Sequence, residues 1–131
     1  MSEMRIRKRP KYLDLFSIMF SLPLPGHLSI LHRASGAGLF LMLAPLLWLF
    51  QASVTSPESF ECFASVAAHP VAKLLFAGLI WAFLHHFCAG VRFLFIDLDV
   101  GVDLAAARRS AAIVFAVSLT LTALVCWRIL L

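Results

Sequence analysis

Residues 34–57, ASGAGLFLMLAPLLWLFQASVTSP, run from Arg33 to Glu58 without one charged side chain. As a helix they extend about 36 Å, more than the roughly 30 Å of a bilayer's hydrocarbon core. Two further uncharged runs follow: 74–91 between Lys73 and Arg92, and 110–127 between Arg109 and Arg128. None shows the polar–apolar alternation of a membrane barrel strand. Helices also satisfy their own backbone groups in lipid. The spacing predicts an all-α integral membrane protein with three transmembrane helices at about 28–52, 71–97 and 108–130.

Composition excludes most alternatives. Of 131 residues, 62% are hydrophobic and 14% charged, against about 25% charged in average soluble domains. The mean hydropathy is +0.94. A soluble domain of this size could not cover so much apolar side chain, and a disordered chain would be poorer in aliphatics. The whole chain, 1–131, reads as a single membrane domain. The net charge of +4 fits topology and anionic headgroups. No basic stretch carries interleaved aromatics, so nucleic acid is not an expected partner. The lipid bilayer is.

The amino-terminal tail, 1–27, holds Arg5, Arg7, Lys8, Arg9 and Lys11. The first loop, about 53–70, has no Lys or Arg and carries Glu58 and Glu61, while Arg108 and Arg109 end the second. The positive-inside rule places the amino terminus in the cytoplasm and the carboxyl terminus outside. The tail has no apolar core of a cleavable signal, and Pro23, Pro25 and Gly26 disfavour continuous helix over 16–28. Cys62, Cys88 and Cys126 show no metal or redox spacing.

Ionisable residues inside spans are costly and mark candidate sites. One cluster is HHFCAGVRFLFID, His85 to Asp97. Four-residue steps through His86 meet Gly78, Ala82 and Gly90, a stripe of very small side chains. The same steps through His85 meet Trp81 and Ala89. A flat porphyrin between helices needs room and an imidazole, which favours His86 over His85. His86 stands eleven residues before Asp97, about 16 Å along a helix and well inside the hydrocarbon. Arg92 lies about 9 Å nearer the cytoplasm, where its guanidinium could meet a haem propionate. The alternative for His86 is an interhelical hydrogen bond that only joins the bundle.

The second cluster is SILHRASG, Ser29 to Gly36. Ser29 and Arg33, and His32 and Gly36, are four apart and share roughly one face. A hydroxyl and a guanidinium there could hold a quinone carbonyl or the propionates of a deeper haem. Arg33 alone could instead snorkel to headgroups. Asp97, at a helix end, could pair with Arg92 or with a partner subunit.

At these clusters the chain resembles the cytochrome b membrane-anchor subunit of succinate dehydrogenase, the respiratory complex II. The likeness runs from RPKYLDL, Arg9 to Leu15, through SILHRASG and SPESFE, Ser56 to Glu61, to HFCAGVRFLFID. The departure is Phe93, where the family often has histidine.

The resemblance implies that His86 is one axial ligand of a haem b shared with a second anchor subunit. It places His32 and Arg33 near the propionates, where the depth of Arg92 also puts its guanidinium. It places Ser29 and Arg33 at a ubiquinone site, and Asp97 at the surface facing the partners. Electrons would come from succinate through FAD and iron–sulfur clusters in a flavoprotein subunit and an iron–sulfur subunit. This chain has no GxGxxG and no cysteine ligand set for either. The expected location is a bacterial inner membrane, with the carboxyl terminus periplasmic. Alternatives are a fumarate reductase anchor and a structural anchor without haem. A transporter should show an acid within a span, and none of the three spans has one before Asp97.

Overall fold

The computed structural model describes residues 20–129. The basic tail and the Arg9–Leu15 motif lie outside the described residues. Four helices follow in order: α1 (Leu24–Thr55), α2 (Pro57–Ala68), α3 (Pro70–Asp97) and α4 (Leu104–Ile129). Three of them, α1, α3 and α4, are long and apolar enough to cross a membrane. This is a multi-pass membrane protein, and no strand occurs among the described residues. Helix α3 is central, packing against both α1 and α4.

The first span begins earlier than the expected position 28. Pro25 and Gly26 fall in the first turn of α1, where a missing N–H costs nothing because the first four are unpaired anyway. The turn closes on Pro23, whose carbonyl accepts from the Gly26 N–H at 2.8 Å. Pro45 sits inside α1 without ending it, as membrane helices tolerate.

The stretch 53–70, expected as a loop, contains α2. Ser56 caps it reciprocally with Ser59: the Ser59 N–H donates to Ser56 Oγ at 3.2 Å, and the Ser56 N–H to Ser59 Oγ at 3.0 Å. Pro57 occupies the first helical position, where its fixed φ suits a helix. Glu58 follows, its carboxyl held below the usual value by its own backbone N–H and by the Ser56 hydroxyl. Ser59, Phe63 and Ala67 form the half-buried face, and Glu58, Glu61 and Cys62 are exposed. Ser59 Oγ also donates to the Ala52 carbonyl at 2.6 Å, fastening α2 to the end of α1. Twelve residues extend about 18 Å, too short to span.

His69 starts α3, its Nδ1 accepting from the Val71 N–H at 3.3 Å. Asp99 and Gly101 take left-handed φ of 58° and 74° in the turn after α3. Asp103 then caps α4, its Oδ1 accepting from the N–H groups of Ala105 and Ala106 at 3.1 and 3.0 Å. The buried apolar core among the described residues is Leu28, Ala89, Ala111 and Val114, with Cys88, Phe93 and Phe115 packed on it.

Candidate functional site

Helix α3 presents two different faces. His85, Ala89 and Arg92 are buried, at i, i+4 and i+7, and this face meets α4. The His85 ring stacks on Trp81 at 5.1 Å and meets Phe115 of α4 at 5.2 Å. Neither of its ring nitrogens has a partner among the described residues. Arg92 donates from Nε to Ser110 Oγ at 2.8 Å and from Nη2 to the Ala107 carbonyl at 3.2 Å. The pairing of Arg92 with Asp97 is thus not formed: the guanidinium turns to α4, and Asp97 stays exposed at the end of α3.

The other face carries His86 and Gly90 to α1. His86 Nδ1 stands 2.9 Å from the His32 carbonyl oxygen. A carbonyl only accepts, so Nδ1 carries the proton and Nε2 keeps its lone pair. The His32 and His86 rings stack at 4.2 Å and 10° from parallel. Ser35 Oγ donates to the same carbonyl at 3.0 Å and lies 3.5 Å from His86 Nδ1. The backbone of each helix makes room for the other's ring. A Cβ at Gly36 would stand 2.6 Å from His86 Cε1, and one at Gly90 3.6 Å from His32 Nε2.

This arrangement fits an axial metal ligand. A ligating imidazole is ordinarily oriented by donating its other N–H to a carbonyl or carboxylate, and His86 has that bond. Gly36 leaves the space its ring needs. One turn from His86, at Ala82, a recess of about 420 Å³ opens between α1 and α3, with neither His32 nor His86 in its lining. Gly38, Gly78, Ala82 and Ser35 line it, and neither glycine has an atom within 4 Å of where a Cβ would stand. Small residues at 78 and 82 do leave space, as the stripe through His86 suggested.

The Ser29–Gly36 cluster is divided by its helix. His32 turns to α3, Ser35 is buried, Ser29 is half-buried and Arg33 is exposed. Arg33 therefore turns to the chain's outer side, while Ser29 is covered in part. Ser35 had no role assigned from sequence. Its signal was its place three residues after His32, from which a helical serine hydroxyl reaches back to the carbonyl.

The profile of the succinate dehydrogenase/fumarate reductase transmembrane subunit family matches residues 5–125. This chain belongs to that family. Relatives agree. The succinate dehydrogenase cytochrome b556 subunit of Paracoccus denitrificans is 32% identical over 106 residues, 81% of this chain and 82% of that one. The subunit of the same name in Coxiella burnetii is 38% identical over 112 residues, 85% and 88% of the two chains. That of Rickettsia felis is 29% identical over 106 residues, 81% and 82%. A transmembrane subunit needs helices able to cross a membrane, and α1, α3 and α4 are long and apolar enough to do so.

Proposed function

We propose that the chain is the haem b-binding membrane anchor of a succinate dehydrogenase, holding the flavoprotein and iron–sulfur subunits at the membrane and forming part of the quinone reduction site. The observation that carries the reading is the His86 bond to the His32 carbonyl, which leaves Nε2 free to ligate. The names of the relatives, cytochrome b556 subunits of succinate dehydrogenase, favour this over the fumarate reductase reading of the same family.

In this reading His86 would hold the haem iron from this chain, and a second anchor subunit would supply the other ligand. Bound haem supplies a one-electron store beside the quinone. His32 and Arg33 stand at the propionates. Arg92 would have Nη1 left for them, since Nε and Nη2 donate to α4. Ser29 donates its hydroxyl, and Arg33 its guanidinium, to a ubiquinone carbonyl. Both stabilise the charge that builds on oxygen as the quinone takes two electrons and two protons to become quinol. Asp97 faces the iron–sulfur subunit. FAD and the iron–sulfur clusters belong to the partners. The amino terminus is cytoplasmic, the carboxyl terminus periplasmic, and the membrane a bacterial inner membrane.

The test is the reduced-minus-oxidised spectrum of the assembled complex. A b-type signal lost in His86→Ala and retained in His85→Ala is expected. A signal that survives His86→Ala and is lost in His85→Ala overturns the ligand assignment. An active complex without any b-type signal overturns the haem reading in favour of a structural anchor.

A further inference from the structure

Phe93 departs from the pattern the chain otherwise resembles, and its surroundings give it a role. Its ring lies 5.0 Å from the His32 ring at a 46° tilt. His32 in turn lies flat on His86, with the Gly90 backbone close beside its Nε2. On the other side the Arg92 guanidinium carbon sits 5.5 Å from the Phe93 centroid, within the range of cation–π attraction. Arg92 is itself anchored on α4. An unbroken series of contacts therefore runs from α4 through Arg92, Phe93 and His32 to His86.

We propose that Phe93 is a positioning residue for the haem ligand, holding the His32 ring against His86 and so fixing the plane of the His86 imidazole. This rests on the reading of His86 as ligand. The hydrogen bond to the His32 carbonyl fixes where Nδ1 points. It does not by itself fix ring rotation, because the terminal torsion of histidine is broad. A flat ring pressed on its face does. Phenylalanine suits the position because it brings no donor or acceptor to compete for His32 or for the carbonyl. A histidine at 93 would bring both. The plane of an axial imidazole and its hydrogen bonding tune the iron, so the influence of Phe93 reads out in the haem without contact with it.

The experiment uses the assembled complex with Phe93→Ala, Phe93→Leu and Phe93→Tyr, and His86→Ala as control. The low-spin ferric haem resonance and the midpoint potential are recorded, with succinate-to-dye activity as a check of assembly. Phe93→Ala and Phe93→Leu should retain haem but displace the resonance and change the reduction equilibrium about tenfold, some 59 mV for one electron. Phe93→Tyr, which keeps the ring, should restore both. If Phe93→Ala does not assemble, Phe93→Leu decides: wild-type resonance and potential in that variant overturn the proposal. Failure of Phe93→Tyr to restore what Phe93→Leu displaces also overturns it. Haem retained in His86→Ala overturns the ligand reading instead.

Discussion

His86 Nδ1 and the His32 carbonyl oxygen, on different helices, stand 2.9 Å apart. A backbone carbonyl inside a helix has a second lone pair to offer, and here His86 of the neighbouring helix and the Ser35 hydroxyl share it. The bond can form only because the ring of His86 passes over Gly36.

Gly36→Ala should therefore displace His86. Its Cβ would meet Cε1 at 2.6 Å, closer than real contacts allow. Overpacking of this kind costs about 1–3 kcal/mol. Haem per complex, measured as the pyridine haemochrome, should fall severalfold. Gly38→Ala, whose Cβ meets nothing within 4 Å, should retain wild-type haem.

Arg92 and Ser110 join α3 to α4. Ser110→Ala removes one bond to a charged group, worth roughly 1.5–3 kcal/mol in soluble proteins but about 0.6 on average between membrane helices. Arg92→Leu removes both bonds and the charge. In detergent, the melting temperature of the complex should fall slightly for Ser110→Ala and clearly more for Arg92→Leu. Equal melting of the two variants would show that the guanidinium contributes nothing beyond Ser110.

Ser29 and Arg33 stand four apart on α1, Ser29 half-buried and Arg33 exposed. Ser29→Ala and Arg33→Leu should impair succinate-to-quinone electron transfer by an order of magnitude or so, since a lost electrostatic donor costs about 10²–10³ at most. Succinate oxidation with an artificial dye should be spared. Equal loss of both activities would count against a local quinone role.

The cap of α2 is separable from the redox site. Ser56→Ala should destabilise the helix by about 1 kcal/mol, seen as faster amide exchange over 57–68 with an unchanged haem spectrum. Glu58 adds a pH dependence. Its carboxyl is held low by the α2 N-terminus and Ser56, so its contribution is present above the unfolded value and lost as pH falls through the folded one. Exchange in wild-type α2 should accelerate across that acid window, and less so in Glu58→Gln.

The spans were legible because charge is nearly absent from them, and the open space at Gly78 and Ala82 because helical stepping from position 86 meets small residues there. Helix α2 was not, although its signals are present: Ser56 and Ser59 three apart, Pro57 at the first position and Glu58 after it. They were masked by the expectation that a charged segment between spans is loop. The direction of Arg92 was illegible for another reason. Positions 92 and 86 lie on faces about 120° apart, and only the placement of α4 decides what each face meets. Ser35 was quoted within its cluster, but its use depends on a ring from α3 arriving at the His32 carbonyl.

The buried apolar residues among those described are four, Leu28, Ala89, Ala111 and Val114, beside the buried polar Ser35, His85, Arg92 and Ser118. Nearly everything else apolar looks outward. Exchanging one greasy side chain for another on that exterior changes no contact inside the chain, so the sequence is free to drift wherever lipid or a neighbouring subunit will follow.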